Sequence, residues 1–138
     1  MNPGRVGSAG GPAETHYVGI SGLGADAPML PKNSKRAGIF GVNRQTRIRD
    51  ITDGTSNTLM TSEASGDSGP WMAGGNATMR SFTKQPYING PDGIGGPYNG
   101  GCNMGLADGS VRFVSENIDP KVLEALATMA GGEVVPQF

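Results

Sequence analysis

The chain has 138 residues, of which 24 are glycine, 10 are proline and 17% are charged, and its formal net charge is −1. This charge balance argues against nucleic-acid binding through a basic surface, and the low charged fraction argues against charge-driven disorder. No apolar run is long enough to predict a membrane span, and one histidine and one cysteine supply neither a disulfide nor the usual ligand set of zinc.

The pattern along the chain predicts a flexible N-terminal arm followed by one domain. Residues 1–14 are rich in Gly, Pro, Ala and Ser and have few apolar side chains to bury, so they are predicted to form the arm. Residues 15–138 are predicted to form a single domain. Short apolar runs bounded by turn residues predict strands at 15–22, 57–64 and about 78–82. A fold of short strands connected by Gly- and Pro-rich loops follows from this pattern.

A hairpin is predicted around Asp108 and Gly109, which stand between two alternating runs. Asp-Gly suits the positive φ angles of a two-residue type I′ turn, so Asp108 has a sufficient structural role. That register pairs Leu106 with Val111 and Met104 with Phe113. It therefore places four apolar side chains together on one face of the hairpin.

A helix is predicted from about residue 120 to residue 130. Asp119 is its N-cap candidate, Pro120 fits its first position, and Gly131 with Gly132 is expected to close its end. An apolar stripe at helical spacing would cover the sheet, and 133–138 would return along a sheet edge. The predicted fold class is α+β, mainly antiparallel sheet with a C-terminal helix.

The sequence predicts no catalytic site and no cofactor, and it leaves a metal site open. Neither Asp-Gly pair fits the ligand spacing of an EF-hand, and no nucleophile elbow or phosphate-binding loop is present. An oxygen-ligand calcium site remains an alternative to plain turn formation, with four candidate ligands: Asp50, Asp53, Asn57 and Glu63. Cys102 is predicted to be a small buried thiol, and His16 is predicted to be an exposed, inert histidine.

Two blocks of the sequence, 47–64 and 99–135, carry unusual residues in a fixed order. They resemble a bacterial family of pseudopilin-like envelope proteins with a prepilin-type N-terminal segment and a C-terminal, prepilin-type processing-associated His-x9-Asp-Gly domain of unknown function. The family's first element matches Asp53, Gly54, Thr55, Ser56, Asn57 and Thr58. Its second element includes Asp108, Gly109 and Ser110, and its closing element matches Leu123 to Val134.

Two departures from the family pattern limit what the resemblance implies. Tyr98 stands where the family has its histidine, so no role of that histidine is carried over. The family's basic leader and long apolar helix are not in this sequence, which resembles the distal part only. The chain is then either part of a longer protein or a relative without the anchor, and it carries no export signal of its own.

The resemblance implies a non-catalytic structural subunit, similar to pseudopilins of type II secretion-like or pilus-like envelope assemblies. Its partners would be protein subunits, with self-association among the options, and its location would be extracytoplasmic or at the cell surface. The alternative is an extracytoplasmic module that binds carbohydrate or calcium. Three aromatic side chains in or beside Gly-rich loops would supply its stacking platform: Trp71, Tyr87 and Tyr98.

Overall fold

A computed structural model of the chain describes residues 16–65, 78–97 and 100–132. The five described strands are β1 (Tyr17–Leu23), β2 (Leu59–Glu63), β3 (Met79–Phe82), β4 (Gly101–Leu106) and β5 (Val111–Ser115), and α1 (Pro120–Ala127) follows them. The strands form one sheet in the order β3-β1-β2-β4-β5. The predicted α+β class is confirmed. The predicted arm lies outside the described residues, so the domain division stays a prediction.

All strand pairs are antiparallel except β1 with β3, which run parallel. The three strands predicted from short apolar runs are present as β1, β2 and β3. Single 3-10 turns lie between β1 and β2 at Ala27–Met29, Ile48–Asp50 and Thr55–Asn57. Turn-forming residues thus fill the connections, as the Gly- and Pro-rich composition indicates.

The core lies on one face of the sheet, where α1 and the loop before β4 cover it. Leu123 and Leu126 of α1 and Ile88 and Ile94 of that loop are at most 3% exposed. They pack in one cluster with inward-facing strand residues, namely Ile20, Leu59, Phe82, Cys102, Met104, Leu106 and Val114. Burial of these apolar side chains supplies the main stabilisation of a sheet that has few large aromatic residues.

The register of the β4–β5 hairpin differs by one residue from the predicted one. Met104 lies opposite Arg112, and Gly105 lies opposite Val111. The loop has three residues, because the Leu106 nitrogen donates to the Ser110 carbonyl at 2.8 Å. A one-residue shift turns every side chain of β5 to the opposite face, so the prediction that Val111 and Phe113 share one face with Leu106 and Met104 is wrong. They are 69% and 57% exposed.

The helix begins where its sequence signals predict and ends earlier. The Asp119 side chain accepts a hydrogen bond from the Lys121 nitrogen at 2.9 Å, and Pro120 is the first helical residue. The helix ends at Ala127, so the prediction that Gly131 and Gly132 close it is wrong. The physical reason lies at Met129. Its nitrogen donates to the Ala37 carbonyl and its carbonyl accepts from the Asp53 nitrogen, so these groups bind other segments instead of continuing the helix.

No helix among residues 16–65, 78–97 and 100–132 has the length and apolar character needed to cross a membrane. The predicted return of 133–138 along a sheet edge lies outside the described residues.

Candidate functional site

The segment from Asp53 to Thr58 folds on itself through its own polar side chains. Gly54 has φ of +96°, which an L side chain rarely adopts, and the 3-10 turn Thr55–Asn57 follows it. The Asn57 amide donates to the Asp53 carbonyl at 3.3 Å, and the Thr58 hydroxyl donates to the Gly54 carbonyl at 3.0 Å. Such local bonds from side chain to main chain are the reason that Asp, Ser, Thr and Asn favour turns.

The Asp53 carboxylate binds the segment that follows α1. It accepts hydrogen bonds from the main-chain nitrogens of Gly131 at 3.0 Å and Gly132 at 2.9 Å. The Asp53 nitrogen donates to the Met129 carbonyl at 3.1 Å. Three hydrogen bonds therefore join Asp53, at the start of the first motif, to the closing element, two at its glycine pair and one at Met129.

The hairpin corner binds the other end of the same segment. The nitrogen of Asp108 donates to the Thr55 carbonyl at 3.1 Å, and that of Ala107 donates to the Thr58 carbonyl at 2.9 Å. The first motif thus lies between the corner of the β4–β5 hairpin and the chain after α1. Three elements that are far apart in the sequence form one hydrogen-bonded unit, here called the motif junction, defined by residues 53–58, 107–110 and 129–132.

Within the hairpin corner, the Asp108 carboxylate stabilises the loop. It accepts hydrogen bonds from the Ser110 nitrogen at 2.9 Å and from the Ser110 hydroxyl at 2.6 Å. The side-chain bond from Ser110, followed by the main-chain bond, holds the pKa of Asp108 below its usual range. Gly109 takes φ of +88°, as the last residue of a three-residue hairpin loop commonly does. Each of these family-motif residues therefore has a structural role.

The four metal candidates take separate partners. Asp50 accepts from the Arg47 nitrogen at 2.8 Å, and this bond is the main cause of its lowered pKa. Glu63 pairs with Asn103, whose nitrogen donates to Glu63 Oε2 at 3.0 Å and whose amide donates to Oε1 at 3.3 Å. Asp53 and Asn57 belong to the motif junction. In the described part of the chain, no group of three His, Cys, Asp or Glu side chains is placed to hold a metal ion.

Cys102 is buried in the core, as predicted. Its side chain is fully shielded, and burial raises the pKa of its thiol to about 11. The sulfur lies 3.8 Å from the Ser62 hydroxyl. A thiol in this setting stays protonated at neutral pH and packs as a small apolar group. His16, predicted to be exposed, is half-buried at the start of β1, and its carbonyl accepts from the Ala64 nitrogen at 2.9 Å.

Of the three aromatic residues predicted as a stacking platform, Tyr87 is described, whereas Trp71 and Tyr98 lie outside the described residues. The Tyr87 ring packs edge-on against Phe82 with ring centroids 5.3 Å apart. It also lines a groove of about 360 Å³ between the loop before β4 and the start of α1. The groove combines polar and apolar side chains: Gln85, Pro86, Tyr87, Ile88, Glu116, Ile118, Pro120 and Leu123.

Arg44 has a structural role that no pattern in the sequence indicates. Its guanidinium donates to the carbonyls of Ala27 at 3.0 Å, Leu30 at 2.7 Å and Ser21 at 3.2 Å, and also to that of Phe40. One cation therefore binds three carbonyls of the long connection between β1 and β2 and one carbonyl of β1 itself. An arginine in a polar stretch carries no local pattern that predicts such a role, because its partners come from distant positions.

A comparison with protein families finds one match that spans most of the chain. The sequence model of a family described as "Protein of unknown function (DUF1559)" matches residues 7–86 and 65–121. The search of curated proteins finds no match, and neither does the search of solved structures.

Proposed function

We propose a structural, non-catalytic role for this chain, which belongs to the DUF1559 family of proteins of unknown function. In this proposal, the chain is a subunit of a type II secretion-like or pilus-like envelope assembly, similar to pseudopilins. Its partners are other protein subunits, and its location is extracytoplasmic or at the cell surface. The resemblance of the two motif blocks to pseudopilin-like proteins supports this assignment.

The motif junction is the observation that carries the proposal. The polar groups of the first motif bind the hairpin corner and the chain after α1, so these groups serve the fold. A catalytic carboxylate needs a vacant position beside it for a substrate atom. The Asp53 carboxylate instead accepts a hydrogen bond at each of its two oxygens from within the junction, and Oδ1 of Asp108 accepts two from Ser110. A motif used in this way is what a structural subunit requires.

The proposal is tested by fractionating the native cells and determining the intact mass and N-terminal sequence of the protein. We expect the protein in the envelope fraction, in a mature form that begins at a processed residue of an apolar segment. A protein found wholly in the soluble fraction, with its N-terminus at or near Met1, would contradict the pseudopilin-like assignment. A periplasmic protein of known processing serves as the fractionation control.

A second candidate function is carbohydrate binding at the groove beside Tyr87. The observation that favours it is that the aromatic Tyr87 and the polar Gln85 and Glu116 line one groove. Sugars are bound by such combinations of ring faces and hydrogen-bonding groups. Retention on a polysaccharide column that Tyr87→Ala lowers, while Tyr17→Ala leaves it unchanged, would support this function; equal retention would reject it.

A further inference from the structure

The long connection between β1 and β2 holds more than half of the chain's basic residues. Residues 27–50 contain six Lys and Arg residues and one Asp, whereas 51–138 contain four Lys and Arg residues and nine Asp and Glu residues. The formal net charge of −1 conceals this asymmetry. A concentration of one sign of charge steers a protein toward a surface of the opposite sign and orients it there.

Contacts within the connection bring its separate segments together. The Val42 nitrogen donates to the Pro28 carbonyl at 2.8 Å, so the chain around residue 42 lies beside the start of the connection. The Lys32 ammonium lies 3.4 Å from a carboxylate oxygen of Asp50, so the 3-10 turn Ile48–Asp50 lies beside the same part. Three neighbouring segments therefore form what is called here the basic patch: 28–36, 42–44 and 47–50.

Three exposed cations of the basic patch keep their charge free of an ion pair. Among the residues that the structure describes, no carboxylate forms an ion pair with Lys35, Arg47 or Arg49. The charge of Asp50 acts on Arg49 at longer range and is itself paired with another cation of the patch. Asp26 pairs with one further cation. The patch thus retains a positive charge that neighbouring carboxylates do not neutralise.

Large apolar side chains are exposed among these cations. Ile48 is 80% exposed between Arg47 and Arg49, and Met29 and Val42 are 71% and 42% exposed. Four of the seven large apolar side chains that are exposed in the described part of the chain lie in this connection. Aliphatic side chains beside cations are the combination by which proteins bind the interface of an anionic membrane.

We infer that the basic patch binds the surface of a membrane that contains anionic phospholipids. Its cations would lie at the level of the lipid phosphates, and Ile48 would enter the boundary between the headgroups and the acyl chains. The protein would lie on the membrane by this patch. The inference goes beyond the proposed structural role, because it names a lipid partner that can be tested on the purified chain.

The exposed apolar side chains favour a membrane over nucleic acid as the partner. Both partners carry phosphates, so the cations alone would suit either of them. The backbone of a nucleic acid offers no apolar layer to Ile48 and Met29, whereas the headgroup boundary of a bilayer does. Removal of an apolar side chain therefore separates the two classes of partner.

Flotation of the purified full chain with vesicles tests the inference. We expect binding at low salt to vesicles of equal parts phosphatidylglycerol and phosphatidylcholine, with half of the protein bound at on the order of 1 mM lipid. About 0.5 M salt should largely abolish this binding, because it screens the charges. Vesicles of phosphatidylcholine alone should bind far less. A chain that stays unbound at about 10 mM lipid in the phosphatidylglycerol vesicles would overturn the inference.

Removal of charge within the patch locates the contact. Arg47→Gln combined with Arg49→Gln should weaken vesicle binding about 25-fold, because each cation near an anionic surface contributes about fivefold. Lys84→Gln combined with Lys121→Gln removes two exposed charges outside the patch and is the matched control. It should weaken binding less than about threefold. Equal losses in the two double variants would show that net charge alone drives binding and would reject the patch.

Replacement of Ile48 tests the lipid assignment. Ile48→Ser should weaken vesicle binding about fivefold, because part of the isoleucine side chain no longer leaves water. Val111→Ser, at a residue 69% exposed on β5, is the matched control and should bind vesicles like the natural chain. Circular dichroism spectra should match that of the natural chain in all these variants, since the replaced side chains are exposed.

Vesicle binding that Ile48→Ser leaves unchanged would overturn the insertion of this side chain and the lipid assignment with it. Tighter binding of a DNA duplex than of the phosphatidylglycerol vesicles, at the same salt concentration, would assign the patch to nucleic acid instead.

Discussion

The carboxylate of Asp53 accepts a hydrogen bond at 2.9 Å from the main-chain nitrogen of Gly132, which lies 79 positions later in the chain. The neighbouring nitrogen of Gly131 donates to the other carboxylate oxygen at 3.0 Å. The Asp53 side chain thus binds the segment that follows α1 to the loop before β2. This contact and the contacts of the hairpin corner give Asp53, Asp108 and Ser110 roles in holding the fold together.

Replacing Asp53 by alanine is expected to destabilise the fold and release the chain after α1. Hydrogen bonds to a charged acceptor contribute about 1.5–3 kcal/mol each, and two are lost, partly replaced by water because the side chain is half-buried. We expect the free energy of unfolding to fall by about 2 kcal/mol in urea denaturation. Amide exchange at Gly131 and Gly132 should also become faster.

Asp26→Ala is the matched control for Asp53→Ala. Asp26 forms an exposed ion pair with Arg36, and such pairs contribute little to stability. Its replacement should leave amide exchange at Gly131 and Gly132 unchanged. Equal effects of the two substitutions on stability and exchange would contradict the role given to Asp53.

The hairpin corner depends on the backbone conformation of Gly109. Beyond Gly109 and its two chain neighbours, no atom of the described residues lies within 4 Å of the position that a Cβ would take there, so the cost of a side chain comes from φ of +88°. Gly109→Ala should lower the free energy of unfolding by about 1–2 kcal/mol, measured by urea denaturation. Gly109→Asn should cost clearly less, because asparagine tolerates the left-handed region. Equal losses in both variants would point to a steric cause instead.

The fold was predictable from the sequence where local signals decide it. Asp119 and Pro120 marked the start of α1 correctly, because N-caps act within one turn. The hairpin register was not predictable in this way, since Asp-Gly is compatible with loops of two and of three residues. The structure has the three-residue loop, in which the nitrogens of Asp108 and Ala107 donate to the carbonyls of Thr55 and Thr58. The bond from Gly132 to Asp53 spans too much sequence for any local pattern to indicate it.

The hairpin corner should also depend on pH through Asp108. Hydrogen bonds from Ser110 favour the charged form and lower the pKa of Asp108 in the folded chain. Its contribution to stability is therefore present above the unfolded pKa of about 3.9 and is lost as pH falls through the lower folded value. Asp108→Asn, which does not titrate, should be less stable than the natural chain at pH 7.

The difference in urea midpoint between Asp108→Asn and the natural chain is the quantity to measure from pH 7 to pH 2. It should shrink as the pH falls below about 4. A difference that stays constant over this range would show that the charge of Asp108 does not contribute.

Cys102 should be inert in the folded protein. Its sulfur is shielded, and a pKa of about 11 leaves the thiolate fraction at pH 8 about a hundredfold below that of an ordinary thiol of pKa 9.0. Iodoacetamide should label the native chain at least a hundredfold more slowly than the chain in urea, as followed by intact mass. Equal labelling rates would contradict the burial of Cys102.

Raising the pH should lower the free energy of unfolding through ionisation of the Cys102 thiol. Because the folded pKa of Cys102 is raised, its contribution to stability is present below the unfolded pKa and is lost as pH rises from about 9 to about 11. Cys102→Ala should lack this loss, so the gap in urea midpoint between the natural chain and this variant should change over that range. An unchanged gap would contradict the raised pKa.

Cross-linking in the native cells is the measurement that tests the structural role most directly. The natural protein would be treated with a short lysine-reactive reagent and separated by size after the envelope and soluble fractions are isolated. The account predicts cross-linked species of several chains in the envelope fraction. A single uncross-linked chain, confined to the soluble fraction, would contradict it.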